Sequence, residues 1–116
     1  MSSDPKPLTP ALFHVLLALA EGDKHGYAIL KDVEVNTSGE VQLSTGTLYG
    51  IIKRLLSDGL IEECRQRRPA EDDDARRRYY RLTRLGRQLG AAEAERLEKV
   101  LAMARDRRLL RRLGPA

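Results

Sequence analysis

The side chains with chemistry to offer in this chain are hydroxyls and guanidinium groups. The run Ser44-Thr45-Gly46-Thr47, followed by Tyr49, Lys53 and Arg54, gathers small hydroxyls, a phenol and two cations within eleven positions. Nine arginines fall between Arg65 and Arg87 and five more between Arg105 and Arg112, in a chain of net charge +4. Concentrated guanidinium binds phosphate well, so the clustering points to a polyanionic partner; a solvated, arginine-rich surface accounts for the same charge pattern equally. Catalysis finds no comparable support. No nucleophile is paired with a base, no loop is built to hold a phosphate, and Cys64, the only cysteine, makes a poor metal inventory with two histidines. We therefore expect no enzyme, no metal and no cofactor.

These groups need a scaffold, and the apolar spacing describes one. Residues 1–8 carry two prolines and read as a flexible arm. Thr9-Pro10 opens a first helix with the stripe Leu12, Val15, Leu16, Leu19. A second runs from about Gly26 to Val35, with Tyr27, Ile29, Leu30 and Val33 inward. Ser44 caps a third that reaches Ser57 on Leu48, Ile51, Ile52, Leu55 and Leu56, and Asp58-Gly59 closes it as a left-handed cap. Leu60–Gln66 and Arg77–Leu82 then read as two strands around a polar loop that holds Pro69 and the acids Glu71-Asp72-Asp73-Asp74. From Thr83 the helical period returns to about Arg112, a rod of roughly 45 Å, with 113–116 as a tail.

The expected fold is mainly α with a small β-hairpin: a winged helix-turn-helix (α-α-α-β-β) over 9–82 plus a long C-terminal α-helix over 83–112. In that topology the third helix enters a major groove, and small hydroxyls at its start reach phosphates or base edges. Ser44 serves as the cap in either case, while Thr47 and Tyr49 are expected to touch DNA.

Four strings then resemble one family in order and spacing: His25-Gly26-Tyr27-Ala28-Ile29-Leu30, Gly46-Thr47-Leu48-Tyr49, Arg54-Leu55-Leu56-Ser57-Asp58-Gly59-Leu60-Ile61 and Arg78-Tyr79-Tyr80-Arg81-Leu82-Thr83. The chain resembles the PadR-like family of transcriptional regulators, in the short subfamily with a single C-terminal dimerisation helix. The resemblance implies a DNA-binding repressor that engages a pseudo-palindromic operator as a homodimer. It implies Tyr27 and Tyr49 near the phosphate backbone with Lys24 and His25 beside them, Ser44, Thr45 and Thr47 facing the groove, and Lys53 farther along. Tyr27 also reads as an aromatic at the edge of the core.

The wing departs from the family pattern, because four consecutive acids would repel phosphate. Arg67, Arg68, Arg76, Arg77 and Arg78 are expected to make the wing's contacts while the acids point away, or else the acids pair with them and lower affinity. Along the last helix, Leu85, Leu89, Ala92, Leu97, Val100, Leu101, Met103 and Ala104 form a stripe that needs a partner. A second copy is expected there, with Leu12 and Leu16 of the first helix contributing, which sets two recognition helices about 34 Å apart. The resemblance also leaves room for a small apolar or phenolic effector at that interface, while the residues show no pocket and fit regulation without a ligand equally. A winged-helix protein-interaction module is the alternative. No apolar stretch approaches the roughly 20 residues of a membrane span, and Met1 to Pro7 lack the layout of a signal peptide, so a cytoplasmic setting is expected.

Overall fold

The computed structural model describes residues 8–64 and 78–111. Along them run α1 (Pro10–Glu21), β1 (Lys24–His25), α2 (Gly26–Asn36), α3 (Thr45–Ser57), β2 (Ile61–Cys64), β3 (Tyr79–Leu82) and α4 (Arg84–Asp106). The expected arm (except Leu8), the acidic loop, Arg76, Arg77 and the tail lie outside the described residues.

Three helices start where a hydroxyl can replace a missing carbonyl. The hydroxyls of Thr9, Ser44 and Thr83 accept from the backbone N–H of Leu12 (3.2 Å), Thr47 (3.1 Å) and Gly86 (3.0 Å). The fourth cap is an imidazole: His25 Nδ1 accepts from the Ala28 N–H at 3.2 Å. At the other ends, α2, α3 and α4 each stop on a left-handed residue, Ser38, Gly59 and Arg108. Behind each, a bond reaches back five residues: Gly39 N–H to Glu34 O (2.8 Å), Leu60 N–H to Leu55 O (2.9 Å), Leu109 N–H to Ala104 O (2.8 Å). Only Gly59 is the glycine that normally marks such a stop. The arginine at 108 ends α4 earlier than the apolar period suggests. With 23 residues the helix is about 35 Å long rather than 45.

The sheet holds one strand more than expected. The hairpin forms, with Ile61 opposite Leu82 and Cys64 opposite Tyr79, and β1 adds to the other edge of β3 through Lys24–Tyr80 and His25–Tyr79 pairs, giving the order β1-β3-β2. Two residues carry no readable strand period; the open edge of β3 recruits them.

The core joins Leu12, Val15, Leu16 and Leu19 of α1 to Ile29, Val33, Leu48, Ile52, Leu55, Leu60, Ile61 and Tyr80. This corrects one expectation. Leu12 and Leu16 are only 3% and 2% exposed within the single chain, so they have no surface left to give a second copy.

α4 packs along α1 and sets Leu89 against the core, and it comes nearest at its first turn. Leu60 O accepts from the Thr83 N–H (3.1 Å), and the Thr83 hydroxyl donates to Gly59 O (2.6 Å). One turn on, Gly86 lies so close that a Cβ would overlap the Leu60 carbonyl oxygen and stand 2.9 Å from its carbon. The helix backbone therefore rests directly on the turn that ends α3.

Gly86→Ala is expected to cost at least about 2 kcal/mol of unfolding free energy, because backbone rather than a movable side chain blocks the methyl. Gly50→Ala, where a Cβ meets open space in a helix, is expected to add about 0.5–1 kcal/mol. Denaturant unfolding of both variants checks the pair; equal effects would contradict the close approach.

Candidate nucleic-acid interface

The amphipathic face of α3 decides what the helix shows to solvent. Leu48, Ile52 and Leu55 are buried, so Thr45, Gly46, Thr47, Tyr49, Lys53 and Arg54 are forced outward. Ser44 Oγ caps the first turn and also donates to Thr47 Oγ1 at 2.9 Å, which fixes the orientation of both hydroxyls. Apart from the helix's own nearby backbone and the adjoining residues, no heavy atom lies within 4 Å of where a Cβ would sit on Gly46 or Gly50. The helix thus presents an open N-terminus, small hydroxyls and a bare backbone, which suits close approach to a groove edged with phosphates. Arg54 is half exposed, 3.8 Å from Asp58, a loose pair that water screens.

The flanking elements frame this face. Tyr27, on the first turn of α2, is 59% exposed, and its ring stacks on His25, whose centroid is 6.5 Å away. His25 also meets the edge of Tyr79 at 5.3 Å. With Nδ1 accepting the Ala28 N–H, that imidazole braces the start of α2. Tyr49 rests its hydroxyl end over Gly26 and is 48% exposed.

Lys24 sits differently from its expected place beside the phosphates. Its side chain is only 16% exposed, and its ammonium lies 2.6 Å from Glu21 and 2.8 Å from Asp32. Burial lowers its pKa, but hydrogen bonds and charge from the two acids outweigh this and raise it, so the group stays charged and already paired. It ties the end of α1 to α2.

The wing strands carry acids that the arginine pattern concealed. Across the hairpin Glu62 pairs with Arg81 at 2.7 Å, and Glu63 lies 3.6 Å from Arg78. The hydrogen bond to Glu62 holds the Arg81 guanidinium above its ordinary pKa. The strand register, with Glu62 facing Arg81, is the signal that reveals this pairing. Cys64 at the end of β2 is half-buried with Sγ 3.6 Å from Asp23, and burial pushes its thiol pKa up.

On α4, Leu85, Val100, Leu101 and Met103 stay between 43 and 45% exposed, and Ala92 is exposed too. Leu89, Leu97 and Ala104 are half-buried, Leu89 against the core. The inward face carries the buried Glu93, held by Arg96 through contacts of 3.0 and 2.6 Å; those bonds keep its carboxyl below the usual range. Between α1 and α4 runs a groove of about 250 Å³, edged by Phe13, Leu17, Ala20, Gly90, Ala91 and Ala94.

The described residues thus hold an outward α3, a three-stranded sheet beside it and a long amphipathic α4. The model of the transcriptional regulator PadR-like family matches residues 15–92. The chain belongs to that family. Among solved structures similar to this PadR-like chain, a PadR family transcription regulator from hypervirulent Clostridium difficile superimposes with a TM-score of 0.70 at 24% identity, over 84% of this chain and 97% of that one. A transcriptional regulator from Clostridium thermocellum gives 0.67 at 27% identity, over 83% and 87%. An uncharacterized protein X of Lysinibacillus sphaericus is 32% identical over 73 residues, 63% of this chain and 64% of that relative. No helix among the described residues is long and apolar enough to cross a membrane.

The two lysines differ in what they offer an anion. Lys24→Met is expected to leave the salt dependence of binding to a DNA duplex unchanged, whereas Lys53→Met is expected to lower the log–log slope by about one per chain. Titrations at several salt concentrations separate them; an equal loss in both would mean that Lys24 leaves its acids for phosphate.

Proposed function

We propose that this PadR-like chain is a sequence-specific DNA-binding regulator, acting as a repressor, that binds a pseudo-palindromic operator as a homodimer. The observation that carries the reading is the outward, hydroxyl-bearing face of α3, held in place by buried Leu48, Ile52 and Leu55. Thr45 and Thr47 would meet base edges from the first turn, with Ser44 at its start. Tyr27, Tyr49 and Lys53 would grip the backbone around them, and His25 would support Tyr27. Arg78 would leave Glu63 for phosphate, at small cost because the pair is exposed.

The apolar stripe of α4 supports the second copy. Leu85, Ala92, Leu97, Val100, Leu101 and Ala104 would pair across a two-fold axis, with Leu89 at their inner edge. Two major-groove contacts one turn apart then cover a stretch of promoter and exclude other proteins from it. A small apolar or phenolic effector, if one acts here, would enter beside α1 and α4, where the groove lining is apolar.

Salt titration tests the binding mode. A random-sequence duplex is expected to lose affinity with a log–log slope of roughly −6 to −10 per dimer. A slope near zero would contradict the reading and favour a protein partner.

Base readout is tested separately by selecting bound fragments from genomic DNA. Thr47→Ala is expected to flatten the recovered sequence preference, with each lost base contact worth about 1–3 kcal/mol of discrimination. Equal weakening on selected and random DNA would assign Thr47 to the backbone instead.

A further inference from the structure

We propose that Gly26 is a positioning residue for the Tyr49 hydroxyl, forming a notch at the start of α2 into which the end of that ring is seated. This rests on the reading of α3 as the DNA-facing helix and goes beyond it by naming what holds one of its contacts in place.

Glycine at this position has no backbone reason. Gly26 occupies the first position of α2, and its φ lies outside the left-handed region, so any residue could adopt its conformation. Glycine there weakens the helix relative to alanine. The reason lies across the space in front of it. A Cβ on residue 26 would stand 2.6 Å from Tyr49 Oη, 3.0 Å from Cζ and 3.4 Å from Cε1. All three atoms belong to the phenol end of one side chain, and no other heavy atom stands nearer. This ring is what comes nearest to the missing methyl's space.

Beside the notch, Tyr80 pairs with Lys24 in the adjoining strand. Burial, with Glu63 and the Tyr49 hydroxyl nearby, raises the pKa of that phenol. Tyr49 is thus seated where α2, α3 and the wing root converge, with the rest of the ring about half exposed. A phenol fixed in advance loses less freedom when it meets a phosphate than one free to swing. Adding a methyl at residue 26 would push out the end of a rotatable side chain and leave the backbone unmoved. The fold would survive while the contact is lost.

The experiment is a double-mutant cycle on the full chain, using wild type, Gly26→Ala, Tyr49→Phe and the double variant. Each is titrated with a labelled random-sequence duplex of about three turns, and melting temperatures are taken in parallel. Each single change is expected to weaken binding roughly three- to tenfold, and the double change no more than either alone. An unchanged Gly26→Ala affinity beside a weakened Tyr49→Phe, or additive losses, would overturn the proposal. So would losses that track a fall in melting temperature. A nuclear Overhauser contact between the Tyr49 ring and the Gly26 α-protons reads the notch without DNA, and its absence would also overturn it. Failure of wild type to bind any duplex would remove the DNA reading beneath, an outcome distinct from a failed cycle.

Discussion

The architecture depends on a contact that only glycine permits, where the first turn of α4 lies on the carbonyl of Leu60. Three parts of the chain meet at that point. Gly59 and Leu60 end α3 in a left-handed turn, Leu60 leads into β2, and Thr83 leaves β3 to cap α4 while bonding both Gly59 and Leu60. The helix that faces outward and the helix that carries the unpartnered stripe are therefore joined through a few backbone atoms rather than a flexible linker. In the proposed dimer, two copies joined through α4 would pass its direction to both α3 helices through this close junction. A looser join would let each domain find its own orientation, and a two-fold operator could not be measured by spacing.

The charges are arranged on the same economy. Lys24 is spent inside the chain on Glu21 and Asp32, and the wing arginines Arg78 and Arg81 face Glu63 and Glu62. Among the described residues, Lys53 and the loosely paired Arg54 are the cations that remain on the α3 face beside the hydroxyls. The wing pairs are exposed, each worth about 0–1 kcal/mol in water, so phosphate can compete for their arginines. Lys24 is different, since its side chain is largely buried between two helices.

Much of this was legible in residue order because local rules and burial agreed. Ser44 caps α3, Gly59 ends it, and the Leu48, Ile52 and Leu55 spacing names its inner face, so the outward position of Thr47 and Tyr49 follows from the chain alone. The misses have two causes: some depend on a neighbour elsewhere in the chain, and others on a local signal outside the usual capping residues. The two-residue β1 exists only because β3 offers it an edge. His25 caps α2 through a ring nitrogen, which no hydroxyl signature announces. Arg108 ends α4 without glycine. Leu12 and Leu16 read as interface residues in sequence because an apolar stripe does not say whether its partner lies in the same chain. Lys24 looked exposed because its carboxylate partner at Asp32 lies eight residues on, across a helix start.

In the proposed dimer, the joint at Gly86 and Leu60 would hold the two α3 helices at one fixed separation. The most direct measurement is a pulsed electron–electron distance between spin labels on Lys53→Cys, in a Cys64→Ser background, with and without duplex. A single narrow distribution centred at about 34 Å, little changed by DNA, is the expected result. A broad distribution, or no dipolar coupling between copies, would contradict it.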